Sequence, residues 1–186
     1  MPGPHDTSAA YSALLAEILD LVGVAHPEPP DDTRRGRRRW QNQARRSIGR
    51  ALTGASPREE WFAPLVRAAV LEPDPSFNRD LVAPMITLFG RRRVVAALLD
   101  HLTGGTVAEQ AGASRAWYPT WVGVRYEADG TTPTASVAAR SEVADVNDRF
   151  ARASLRLFVD TDDLYLRQCL LPNLDLRTAS RPTSRT

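Results

Sequence analysis

Apolar residues return every three or four positions along most of this chain, which is the spacing of one buried helix face. Tyr11, Leu14, Leu15, Ile18, Leu21 and Val22 form a first stripe, closed by Gly23 and the prolines of "HPEPPDD". Trp40, Ala44, Ile48, Ala51 and Leu52 form a second, stopped at Gly54. "SPREEW" then reads as a capping box, with Ser56 as the cap, Pro57 at the first helical position and Glu59 reaching back. The helix it opens turns Trp61, Leu65, Val66, Ala69 and Val70 inward as far as Pro73. Phe77, Leu81, Val82, Met85 and Leu88 mark the next helix, and Gly90 separates it from one lined by Val94, Val95, Leu98, Leu99 and Leu102. Thr106 and Glu109 make a second capping box, for "VAEQAGASRAWYPTW". Periodicity fails over residues 122–140, which read as a long irregular loop with room for a short hairpin. Ser141 is expected to cap a helix carrying Val143, Val146, Phe150, Ala153 and Leu157. The polar tail, residues 177–186, reads as disordered.

One pattern occurs twice. "DPSFNRDLVAPMI" and "DDLYLRQCLLPNL" align Asp74 with Asp162, Phe77 with Tyr165, Arg79 with Arg167 and Pro84 with Pro172. "EQAGASRAWYPTW" is a weaker copy, with Glu109 at the acidic place and Pro119 at the proline, but Ser114 where the arginine stands. Each copy follows its own amphipathic helix after a short turn, and such a unit closes its core only by stacking on neighbours. An arginine near the start of a helix is opposed by the local dipole. Arg79 and Arg167 are therefore expected to find carboxylates across a junction, with Asp74, Asp162 and Asp163 as rungs of an acid–arginine ladder and Asp80 as a further partner. Pro84 and Pro172 are expected to kink or end their helices.

A first helix, an acidic turn, and an apolar residue directly before an arginine (Leu166 and Arg167 in "YLRQCLL") resemble the HEAT-type repeat of armadillo-like solenoids. The likeness covers residues 57–174 and is best over 141–174. The chain is also similar to a group of helical proteins from high-GC bacteria. The resemblance implies an all-α fold, a short α–α superhelix of stacked antiparallel helix pairs interrupted by one long irregular insertion. Residues 1–176 then form one domain, with 1–54 as N-terminal capping helices and 57–174 as about three HEAT-like pairs. HEAT-like proteins are mostly scaffolds that bind other proteins, and a minority grip nucleic acid. No cofactor is implied.

Charge changes this picture in one place. All 24 basic residues are arginine, a bias that a G- and C-rich genome or a need for planar donors would each produce. Residues 34–50, "RRGRRRWQNQARRSIGR", hold eight arginines and no acid; with a whole-chain charge of +2, the remainder carries 2 − 8 = −6. Arg34, Arg35, Arg37, Arg38, Arg39, Arg45 and Arg46 are candidates to bind nucleic acid or another polyanion, with Trp40 either stacking on a base or lying in the core. The competing reading is a solvated face, or one docked on the acidic body. "RRR" at 91–93 opens a helix, where positive charge calls for local acids or an anionic partner.

The second binding candidate is "RAWYPTW" with the loop behind it. Trp117, Tyr118 and Trp121 cannot all point inward from one short helix, so they and the following Arg125 and Tyr126 are candidates to meet a protein partner. Catalytic patterns are missing. His5, His26 and His101 have no cysteine or carboxylate at ligand spacing, so no metal is expected. "TGGT" lacks the lysine of a phosphate loop, the Asp100–His101 pair reads as an exposed helix end, and Cys169 has no signature of a nucleophile. One cysteine excludes an internal disulfide. No apolar run approaches the roughly 18 residues of a membrane span, and the N-terminus lacks a secretory pattern. The expectation is a cytoplasmic, non-enzymatic scaffold for a protein partner, with polyanion binding as the alternative.

Overall fold

A computed structural model describes residues 4–28, 33–121 and 136–174, and every regular element among them is a helix. The nine α-helices among these residues are α1 (Pro4–Val22), α2 (Arg34–Leu52), α3 (Glu59–Leu71), α4 (Arg79–Phe89), α5 (Arg91–Gly104), α6 (Val107–Trp117), α7 (Ser136–Ser141), α8 (Ala144–Asp160) and α9 (Leu164–Leu170). The all-α expectation holds, and the apolar stripes meet in one core. Leu15, Ile48, Leu65, Leu81, Leu98 and Leu170 are each buried. Among the described residues no helix is long and apolar enough to cross a membrane.

The helices pack in two layers. α1, α3, α6 and α9 follow one another in the first, and α2, α4, α5 and α8 in the second. Across the layers α1 pairs with α2, α3 with α4, α5 with α6 and α8 with α9. The order within a pair reverses halfway. α1 and α3 lead from the first layer, whereas α5 and α8 lead from the second. The reversal happens at Gly90, whose φ of 82° ends α4 and starts α5 within the same layer. Few residues other than glycine enter that backbone region, so the one-residue connection depends on it.

Two glycines in helices are needed for close approach. A Cβ on Gly112 of α6 would lie 1.9 Å from the Val70 carbonyl oxygen of α3, and one on Gly49 of α2 would lie 2.8 Å from that of Asp80 on α4. Pro84 lacks the N–H that would bond the Asp80 carbonyl one turn back. The carbonyl freed in this way is the one beneath Gly49.

Several local expectations are corrected. Ser56 does not cap α3, which begins at Glu59 behind Arg58 with no side-chain cap. The Glu59 carboxylate is instead held by Arg93 of α5 through both oxygens. Ser141 does not cap α8 either; it ends α7, and α8 starts at Ala144 behind the buried Val143. Residues 136–141 are thus helical rather than part of the loop, and residues 122–135 and 175–186 lie outside the described residues. Pro84 does not end its helix, which continues to Phe89, while Pro172 falls in the 3-10 turn that follows α9. The box of Thr106 and Glu109 forms as expected, with the Glu109 carboxylate held down in pKa by the Thr106 backbone and side-chain donors.

The triplet Arg91–Arg93 is answered locally. Arg91 donates to the Thr120 carbonyl, Arg92 forks onto Asp145 at 2.7 and 2.8 Å, and Arg93 pairs with Glu59 while lying 4.0 Å from the Phe62 ring centre. These contacts tie α5 to α8 and to α3.

Candidate functional site

A cavity of about 520 Å³ opens on the first layer, between the turn after α3, the end of α6, and α9. Its walls include Pro73, Pro75, Tyr118, Tyr165 and Cys169, with Arg115 among them. The turn is fixed by its own sequence. Pro73 stops α3, and Asp74 accepts from the Ser76 N–H at 3.0 Å to cap a 3-10 turn with Pro75 at its start. Opposite, α6 and α9 are locked by Ser114 and Asn173. Ser114 Oγ donates to the Cys169 carbonyl at 2.7 Å, and Asn173 Nδ2 donates to the Ser114 carbonyl at 3.0 Å and its Oγ at 2.7 Å.

Arg115 gives the cavity its charge. One Nη donates to Tyr165 Oη at 2.7 Å and approaches Cys169 Sγ at 3.7 Å; the other donates to the Glu72 carbonyl at 3.1 Å. Its Nε is buried without a partner. None of these partners is a carboxylate, so the guanidinium charge is uncompensated among the described residues. Burial raises the pKa of the Tyr165 hydroxyl, with Arg115 opposing and Cys169 adding to the rise. Tyr165 therefore stays neutral as an acceptor for Arg115. Around the rim, Tyr118 is 74% and Tyr165 55% exposed, and Leu164 of α9 and Leu171 of the 3-10 turn after it are exposed as well.

Beneath the cavity lies a buried charged network centred on Glu72. Its Oε2 accepts from Tyr11 Oη at 2.5 Å and from Arg45, and its Oε1 accepts from the Asp74 N–H at 2.9 Å. Arg45 also donates to Asn42 and lies 4.4 Å over the Phe77 ring. Burial and the Glu72 charge push the Tyr11 pKa well above its ordinary value, so Tyr11 remains a donor. Through its carboxylate and its carbonyl, Glu72 thus connects α1, α2, the turn after α3, and Arg115 of α6.

The sequence-based candidates separate. Trp117 is buried and stacks on Phe150 of α8, ring centres 3.5 Å apart, so it is removed from the partner-binding set. Tyr118 and Trp121 are exposed, with Tyr118 on the cavity. Arg125 and Tyr126 lie outside the described residues. In the stripe, Arg45 is 2% exposed and committed to Glu72, so it is removed from the polyanion set. Trp40 is buried too, among the core residues, where no base could stack on it. Arg34, Arg35, Arg38, Arg39 and Arg46 are exposed and Arg37 is half-buried.

The acid–arginine ladder does not form. Asp74 and Asp163 cap helical turns through backbone N–H groups, Arg167 Nε donates to the Phe158 carbonyl at 3.2 Å, and neither Asp162 nor Arg79 has an ion pair among the described residues. Arg79 on α4 and Arg167 on α9 also stand in opposite layers.

Sequence reasoning missed Arg115, Tyr165 and Glu72 as a connected group. A signal was present for Arg115. Ser114 stands at the arginine position of the weak repeat copy, and the arginine is its immediate neighbour. Nothing local marked Glu72, whose partners come from α1 and α2.

Together these observations define an all-helical protein of stacked helix pairs with a lined groove on one layer. Comparison with family models, curated proteins and solved structures finds no match to this chain.

Proposed function

We propose that the protein is a non-enzymatic, HEAT-like scaffold of the cytoplasm whose first-layer groove receives a short segment of a protein partner. One observation carries the reading: the Arg115 guanidinium lies in a cavity walled by tyrosines and prolines, with no carboxylate paired to it among the described residues. A segment that fits such a groove places an apolar side chain between Pro75 and Tyr165 and a carboxylate on Arg115. Charge-assisted hydrogen bonds of that kind are the strong ones, and the exposed rims of Tyr118 and Tyr165 add rigid apolar area around them. The buried Glu72 network supports the reading from below, because it fixes the turn and the Arg115 backbone contact before any partner arrives.

The test is selection from a random peptide library on the intact protein, followed by binding of the enriched peptides to Arg115→Gln and Tyr118→Ala. The expected result is enrichment of an acidic residue beside a large apolar one, with at least tenfold weaker binding to both variants and an unchanged melting temperature for Tyr118→Ala. Peptides without an acid, or bound by either variant as tightly as by the wild-type protein, would reject the reading.

A further inference from the structure

The second layer carries an unrelated feature. Arg46 and Arg50 of α2 and Arg79 of α4 line a concavity of about 350 Å³, floored by Gly49 and Pro84. All three arginines are exposed, and none of their side chains has an ion pair or hydrogen bond among the described residues. The concavity exists because the two helices meet at Gly49, over the Asp80 carbonyl. Asp80, half-buried in the same wall, is the one acid there.

From this concavity a row of charge extends along α2. At 3.6 residues per turn, Arg35, Arg39, Arg46 and Arg50 fall within an arc of about 60°, opposite Trp40, Ala44 and Ile48, and span about 22 Å of axis. α2 contains no acid. The exposed arginines of α8, Arg149, Arg152 and Arg156, are by contrast interspersed with Asp145, Asp148 and Asp160.

We infer that Arg35, Arg39, Arg46 and Arg50, joined at the concavity by Arg79, form a binding face for the phosphate backbone of duplex nucleic acid, independent of base sequence. Three features select this ligand. The row is linear and long enough to meet several phosphates of a strand whose charges repeat every 3.4 Å of axis. Its exposed neighbours, Gln43 on α2 and the flanking caps Thr33 and Thr53, are polar, so it lacks the apolar anchors by which a helix lies in a membrane surface. The tryptophan that could have stacked on an unpaired base is buried in the core, which leaves backbone contact as the available mode and favours duplex over single strand. Arginine suits this role because its planar fork holds phosphate oxygens in pairs.

The experiment is fluorescence anisotropy with the full chain and a labelled duplex of about 24 base pairs, beside a single strand of equal length and vesicles rich in phosphatidylserine. With about five phosphate contacts, the logarithmic salt slope is expected near −4.5, so affinity falls about 500-fold between roughly 50 and 200 mM salt. Arg46→Ser/Arg50→Ser/Arg79→Ser should flatten the slope by about 3. Arg149→Ser/Arg152→Ser/Arg156→Ser, with the same change of net charge, should leave it in place. Asp80→Asn, which removes the opposing carboxylate, should tighten duplex binding severalfold, a gain that damage to the fold cannot mimic. Binding to vesicles without duplex, preference for the single strand, or equal loss in both triple variants would each overturn the proposal.

Discussion

Arg45 donates to the carboxylate of Glu72, 27 positions further on, in a pair whose side chains are 2% and 1% exposed. An arginine in the middle of an eight-arginine stripe is thus the one drawn through the layer into the core. Removing one partner of such a pair strands the other charge in a dry site, which destabilises by about 3–5 kcal/mol. Glu72→Gln is therefore expected to lower the free energy of unfolding in urea by that amount. Arg45→Met/Glu72→Gln should recover a substantial part of the loss, because no charge then remains unpaired. A small effect of Glu72→Gln would show that water reaches the pair.

Gly112 and Gly104 should respond to alanine with opposite signs. At Gly112 the new Cβ would lie 1.9 Å from the Val70 carbonyl, so α6 and α3 must separate. Overpacking against backbone costs about 1–3 kcal/mol and occasionally more, and Gly112→Ala is expected at the upper end. At Gly104, the last residue of α5, a Cβ meets nothing within 4 Å, and its φ is not positive. Gly104→Ala should stabilise by about 0.4–1 kcal/mol, by reducing the freedom of the unfolded chain. Thermal unfolding of the two variants side by side decides the matter.

The same contacts show what could be foreseen from sequence. Helical stripes were legible because burial repeats with the helix period: Val94, Val95, Leu98, Leu99 and Leu102 are all buried as expected. The partners of helix ends were not legible, because they come from other helices. Ser56 and Glu59 spell a capping box, yet Arg93 of α5 holds the glutamate. The repeat was only partly legible. Pro119, from the weaker copy, and Pro172, from one of the two stronger copies, sit alike in 3-10 turns at the ends of α6 and α9, which pack together in one layer. Pro84, from the stronger match, lies inside α4 in the other layer. Sequence similarity recorded the helix pair, but the layer each helix joins is decided at Gly90. The groove followed from that choice, since it needs α6 and α9 beside the turn after α3.

Asp145 predicts a pH dependence that is lost on substitution. The Arg92 guanidinium holds the Asp145 pKa down from 3.8 to about 2. A carboxylate with a depressed folded pKa contributes stability that is complete above its unfolded pKa and fades as pH falls through the folded value. Wild type should therefore exceed Asp145→Asn in urea midpoint at neutral pH, and most of the difference should be lost as pH drops from about 4 to about 2. Both groups are exposed, so added salt should shrink the difference at pH 7 as well. A difference that persists unchanged at pH 2 would mean that the charge of Asp145 is not its source.

Trp117 and Tyr118, adjacent in sequence, should divide stability from binding. Trp117 lies against Phe150 with the rings 18° from parallel, joining α6 to α8 across the core. Trp117→Ala removes that contact and leaves a large cavity, for an expected loss of about 3–5 kcal/mol. Tyr118 projects from the 3-10 turn with 74% of its surface exposed, and an alanine there should change stability by no more than about 0.5 kcal/mol. Its effect belongs to the groove, where peptides selected on the wild-type protein should lose at least tenfold in affinity. Calorimetric unfolding and peptide titration of the two variants give four numbers, and the expected pattern is a crossed one. If Tyr118→Ala instead unfolds the protein as readily as Trp117→Ala, the rim of the groove is part of the core and cannot be held open for a partner.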